Sequence, residues 1–260
     1  MANITPIKKE THQKIKVAAK RDLSNVSNQH IAPITAPEYS QAATSYPIVL
    51  VKDQGTERYR SVVMLGLEAS ENLYYKEDSW NAVYVPQSIS MAPFSLGLDP
   101  EKEKTLTACV DLDSKFVGED KDHELFDAEG KDTEFFQGVQ DSLGRLYDNE
   151  VMNEKFIKEL LDNDLLLELE LNINFASGES KKLVGLYNIN DKKVQELSDD
   201  KVLDFHKRGL FVPIYAMLGS IGQINRLAQL RNQSESTAKV NAIRFTPVTA
   251  EAEAENVAEK

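Results

Sequence analysis

A chain with one cysteine cannot close an internal disulfide, and Cys109 alone cannot supply the paired thiolates of a structural zinc site. Cys109 lies within the apolar run Leu106–Val110, which points to a small buried hydrophobe rather than a catalytic thiol. Histidine is scarce as well. His12, His30, His123 and His206 sit in unrelated contexts with no HxxxH or HxD spacing, so a mononuclear metal site is hard to build from them. His206 falls at the end of an expected helix, where a cationic ring suits the macrodipole better than it suits catalysis. The 12 glycines form neither GxGxxG nor a P-loop, and no metal or other cofactor is expected. Basic residues are outnumbered, 30 Lys and Arg against 42 Asp and Glu, and the net charge of -12 repels nucleic acid and anionic membrane surfaces. The longest apolar run, near residues 210–224, is interrupted by proline and glycines and is too short for a membrane span. No apolar segment follows the basic residues Lys8 to Lys20, so no secretory signal is expected and cytoplasmic residence is the default.

What remains has the composition of an ordinary globular protein, 41% hydrophobic and 28% charged, long enough to bury roughly three quarters of its unfolded surface. The clearest patterning lies between Ser45 and Phe94, which holds the only tryptophan and five of the nine tyrosines. Pro37 opens a short helix through Ala43. Pro47 then starts the strand Ile48–Asp53, Gly55 turns it, and Tyr59–Leu67 returns as a hairpin. A second pair, Asn72–Tyr75 and Trp80–Val85, would complete an antiparallel meander of about four strands. One helical turn is expected near Gln87, broken at Pro93, and another strand at Leu106–Leu112.

From Asp99 to Glu134 thirteen acidic residues face five lysines. Asp111 and Asp113 have calcium-loop spacing, but Lys115, Phe116 and Asp122 occupy positions that need a ligand, a glycine and a bidentate glutamate, so a solvated acidic loop is expected. Thr133 is suited to cap a helix carrying Phe135, Phe136, Val139, Leu143, Leu146 and Tyr147, with Gly138 and Gly144 permitting close packing. A second helix follows over Met152–Leu161 and ends at Asn163. Leu165–Phe175 alternates as a half-buried strand and turns at Ser177-Gly178 into Lys182–Ile189. Two short helices, Asp191–Leu197 and Asp199–Arg208, are expected, with Ser198 as a cap and Gly209 as a stop. A last buried helix runs over Leu210–Leu230.

Ser220 lies between glycines, but Leu218 stands where GxSxG needs its first glycine and the position is helical, so it is no nucleophile elbow. The constellation worth keeping is Tyr46, Asn72, Tyr74, Trp80, Tyr84 and Phe94. Amphipathic aromatics at a strand edge bury much area at little entropic cost and keep a polar tip for a ligand, although such clusters also serve as core packing.

In order along the chain, APEYSQAATSYPIVLV, GLEASENLYY, WNAVYVP, APF, ELFDAEGKDTEFF, LVGLYNINDKKVQELSDD and FHKRGLFVPIYAMLGSIGQINRLAQLR resemble the bacterial SapC family over Ile34 to Arg231. Where members often show Arg-Tyr-Pro-Phe, this chain has Met91-Ala92-Pro93-Phe94, which removes a cation from that place. The resemblance implies association with the cell surface, the surface layer or peptide uptake, and a protein partner in such a system.

The expected fold is α+β, with an antiparallel meander in the first half and helices plus a hairpin in the second. Residues 1–30 would be a flexible arm, 31–232 a single domain and 233–260 a disordered acidic tail. The expected function is that of a non-catalytic accessory or binding protein with its face at Tyr46, Asn72, Trp80, Tyr84 and Phe94. The alternatives are an enzyme with a pocket near Trp80 and a self-assembling surface-layer component.

Overall fold

The computed structural model of the protein describes residues 3–20, 23–53, 55–99, 105–236 and 238–248. Its strands are β1 (Ile4–Pro6), β2 (Lys16–Val17), β3 (Ile31–Pro33), β4 (Ile48–Lys52), β5 (Tyr59–Met64), β6 (Tyr75–Lys76) and β7 (Ser79–Trp80). They continue as β8 (Phe94–Leu98), β9 (Leu106–Asp111), β10 (Val117–Gly118), β11 (His123–Glu124), β12 (Leu166–Phe175), β13 (Ser180–Ile189) and β14 (Val240–Pro247). The helices are α1 (Lys9–His12), α2 (Tyr39–Ala42), α3 (Gln87–Ser90), α4 (Glu134–Asp162), α5 (Asp191–Gln195), α6 (Asp199–Lys207), α7 (Phe211–Ser220) and α8 (Ile224–Gln233). The class is α+β with antiparallel sheets. Among the described residues no helix is long and apolar enough to cross a membrane.

The chain divides into two compact units, Met1–Leu23 with Gln87–Glu150 and Ser24–Pro86 with Val151–Lys260. In the first, sheets of order β1-β9-β8 and β10-β2-β11 enclose a core of Val17, Phe94, Val110, Leu125, Phe126, Phe136 and Leu143. The stretch expected as an N-terminal arm carries the short strands β1 and β2. Ile4, Thr5 and Pro6 pair with Asp111, Val110 and Cys109, and Val17 is fully buried. These strands are two or three residues long, too short to raise a period above their charged neighbours. The acidic stretch uses its carboxylates as turn caps: Asp127 Oδ1 accepts from the N–H of Glu129 and Lys131 at 2.9 and 2.8 Å.

Thr133 Oγ1 accepts from Phe136 N–H at 3.2 Å and starts α4, which runs unbroken for 29 residues where two helices were expected. The polar stretch Asp148–Val151 contains neither glycine nor proline and so does not stop it. A Cβ at Gly138 or Gly144 would meet nothing, so these glycines do not serve close packing.

The second unit is built on a six-stranded antiparallel sheet of order β14-β12-β13-β4-β5-β3. The hairpin β4–β5 and the hairpin β12–β13 are joined by pairing of β13 with β4 at Leu186↔Val51 and Tyr187↔Leu50. Gly185, at φ +73, sits where the β12–β13 register shifts, a left-handed geometry that glycine adopts without strain. The four-strand meander is corrected: among the described residues β6 and β7 pair only with each other. Asn72 Oδ1 takes the N–H groups of Tyr74 and Tyr75 at 3.0 and 3.2 Å, which removes those donors from any ladder with β5. The expected tail is corrected in part, because β14 pairs with β12 from Phe175↔Val240 to Leu169↔Pro247. The Ala/Glu repeat of the tail lies outside the described residues.

Beyond the β13–β4 pairs, the backbone of Ile48 is served by side chains. Ser220 Oγ accepts from its N–H at 2.9 Å and donates to the Met217 carbonyl at 2.6 Å, while Asn188 Nδ2 donates to the Ile48 carbonyl at 2.9 Å. Back-bonding by Ser220 to its own helix accompanies a 3₁₀ turn, Ile221–Gln223, which splits the expected last helix into α7 and α8.

Arg231, on α8, is buried, and its guanidinium pairs with Glu71, with Glu68 at 3.3 Å and with the Ala238 carbonyl at 3.1 Å. The loop that carries Glu71 passes over Gly66, where a Cβ would overlap the Glu71 carbonyl oxygen. Arg231→Ala leaves two carboxylates without their buried cation and should cost on the order of 3 kcal/mol in urea unfolding, with an unchanged slope. A loss below about 1 kcal/mol would place the pair in the weak surface class instead.

Candidate functional site

The first observation is a hydrogen-bonded aromatic frame in the second unit. The capping-box helix that opens at Thr35 leads through α2 to Tyr46, and the Asn72 turn places Tyr74 beneath the β6–β7 ribbon. Trp80, on β7, donates its indole N–H to Tyr46 Oη at 2.7 Å, and Tyr46 donates in turn to the Tyr84 carbonyl. Tyr74 donates to the Ser45 carbonyl at 2.6 Å; its ring lies 6.2 Å from Trp80, stacked, and 4.7 Å from Tyr46, edge-on. Asn72 Nδ2 binds the Val26 carbonyl at 2.8 Å. Five of the six residues singled out from the sequence therefore share one frame. Phe94 does not: it packs in the core of the first unit, its ring 6.2 Å from Phe135.

The frame rests on Glu38, which sequence reasoning missed. Tyr84 Oη donates to Glu38 Oε1 at 2.6 Å, and Thr35 supplies its N–H and its hydroxyl to Oε2 at 3.0 and 2.7 Å. The signal was present as Thr-Ala-Pro-Glu, a capping box ahead of an apolar run. A polar network continues beside it, with Tyr39 donating to Ser61 at 2.5 Å and Ser61 to Asn153 Oδ1 at 3.0 Å.

Burial pushes the phenols of Tyr46, Tyr74 and Tyr84 far above their ordinary value. At Tyr84 the hydrogen bond to Glu38 adds to that rise; at Tyr46 the donated indole N–H partly offsets it. None of these hydroxyls can act as a base near neutral pH.

Above the frame lies an open cleft of about 430 Å³, within the size range of small-molecule sites. Its walls include Tyr74, Trp80, Asn81, Val83, Gln223 and Arg226. Val83 is 97% exposed at the rim. Asn81, Val83, Gln223 and Arg226 were not foreseen; the last two come from the turn after α7 and from α8, far away in sequence.

A family model described as SapC matches residues 7–227. The chain belongs to the SapC family. No curated protein and no solved structure matches it. The match takes in the frame, Glu38 and Arg226, and it begins within the segment that pairs strands β1 and β2 into the first unit.

Elsewhere in this SapC-family chain, Ser220, Cys109 and His123 lie in structural settings. Ser220 is buried and bonded on both sides, as described, and burial pushes the Cys109 thiol up. His123 stacks on Phe135 at 4.5 Å. Among the described residues no three His, Cys, Asp or Glu side chains come together as metal ligands.

The raised phenols give a pH dependence. Below about pH 10 the tyrosines are protonated folded and unfolded alike, and their burial contributes fully; above it the unfolded chain ionises first and stability falls. The urea midpoint should therefore hold from about pH 7 to about pH 10 and drop beyond it, with tyrosinate absorbance lagging until unfolding. Ionisation of every tyrosine in one step near pH 10 in the folded protein would show that the frame is open to water.

Proposed function

We propose that this SapC-family protein is a non-catalytic accessory or binding protein of a cell-surface or uptake system, and that it receives a protein partner at the Trp80 cleft. What supports this reading is the commitment of the frame: its phenolic hydroxyls are all spent on internal hydrogen bonds and held protonated, so the cleft offers rigid, amphipathic contact area rather than an acid, base or nucleophile. The surface or uptake setting comes from the family resemblance.

The test is affinity capture of the tagged protein from its native cells, with Trp80→Ala as the matched control. A surface receptor or uptake component recovered by the wild type and lost at least tenfold in the variant is the expected result. Equal recovery by both forms moves the binding face away from Trp80, and substrate turnover by the purified protein, lost on mutation of one cleft residue, would replace the binding reading with an enzymatic one.

One observation favours self-assembly as a second reading. Leu203 on α6 and Val212 and Tyr215 on α7 are 52%, 63% and 58% exposed, apolar surface that a second copy would cover. On this reading sedimentation shows a concentration-dependent oligomer that Tyr215→Lys dissociates. A wild-type monomer at about 100 μM excludes tight self-assembly through that surface.

A further inference from the structure

Arg226 is the charged side chain among the residues described as lining the cleft. Acidic side chains outnumber basic ones 42 to 30, yet among the described residues this guanidinium has no carboxylate partner. Its Nη2 donates to Asn81 Oδ1 and its Nη1 to Gln229 Oε1, each at 3.2 Å, which fixes the group at the cleft wall and uses two of its five N–H donors. Asn81 is itself held, its N–H bonded to the Tyr74 carbonyl at 2.7 Å. Gln223 supplies a complementary group to the same cleft. Both amide hydrogens are spent on the carbonyls of Ala43 and Thr44, at 3.2 Å each, so its Oε1 is an acceptor with no partner among the described residues. Trp80 and Val83 complete the lining with apolar surface, and the indole is locked by its bond to Tyr46.

A fixed cation, a spare carbonyl acceptor and an apolar wall in one cleft describe their ligand by complement. We propose that the cleft binds a carboxylate whose neighbouring carbon carries an amide N–H and an apolar side chain, the chemistry shared by the C-terminal residue of a polypeptide and a free N-acylated apolar amino acid. The carboxylate takes the remaining guanidinium donors of Arg226, the amide N–H donates to Gln223 Oε1, and the side chain lies against Trp80 and Val83. The inference rests on the reading of this cleft as the binding face and names what the face recognises.

Trp80 is the single tryptophan of the chain, so its emission reports on the cleft alone. The full-length protein is titrated with N-acetyl-leucine, with N-acetyl-leucinamide, which lacks the charge, and with a pentapeptide ending in a free leucine. The expected result is a saturable change with the acid, at least tenfold weaker binding of the amide, and a tenfold or greater loss in Arg226→Gln, a half-exposed position whose replacement keeps an amide for Asn81. Tighter binding of the pentapeptide than of N-acetyl-leucine identifies a polypeptide C-terminus as the source; equal affinities identify a small acid, and both uphold the chemistry. No saturable change, equal binding of acid and amide, or an Arg226→Gln protein that binds like the wild type with an unchanged melting temperature overturns it. If capture of a partner still depends on Trp80 while these titrations fail, the ligand assignment falls and the binding face stands; if both fail, the face falls with it.

Discussion

The second unit depends on two side chains that stand in for a β-ladder. Its sheet combines hairpins from opposite halves of the chain, and the two are stitched by only two register pairs of β13 and β4. At Ile48 the strands have parted, and a buried N–H or carbonyl without a partner costs about 1–3 kcal/mol. Ser220 and Asn188 supply those partners, one from a helix and one from a strand. The same hydroxyl ties α7 to the joint through Met217 and accompanies the 3₁₀ turn that sets the direction of α8. The positions of Gln223 and Arg226 at the cleft follow from that turn.

The aromatic frame obeys the same rule of satisfying what is buried. Glu38 can be buried because Thr35 and Tyr84 give it hydrogen-bond donors on both oxygens, and Tyr84 can be partly buried because Glu38 accepts from it. Tyr46 is fully buried, and its hydroxyl both accepts from Trp80 and donates to the Tyr84 backbone. Each group's cost is offset by the next, so the frame is rigid at its base and presents only its upper edge to the cleft. Its phenolic hydroxyls stay protonated near neutral pH.

Elements with strong local signals were legible in the sequence. Alternation gave β12 and β13, Pro47 and Gly55 bounded the β4–β5 hairpin, and Thr133 marked the start of α4. What escaped were features fixed by distant partners. β1 and β2 are strands because β9, β10 and β11 lie beside them, and they are too short to alternate; β14, eight residues long, is a strand because β12 lies beside it. The site divides the same way. Tyr46, Asn72, Tyr74, Trp80 and Tyr84 cluster in one stretch and share the frame, whereas Glu38 was hidden as a helix cap and Arg226 as one more cation on an amphipathic helix. Phe94 lies near the others in sequence, but its strand belongs to the core of the first unit.

The division of the chain into units has a consequence for its assembly. The backbone crosses from one unit to the other after Leu23, after Pro86 and after Glu150, the last time in the middle of a continuous helix. No single cut yields either unit whole, and neither can be completed until segments separated by an entire stretch of the other have been made and brought together. The two cannot have been joined end to end from independent modules, nor can they be exchanged like cassettes.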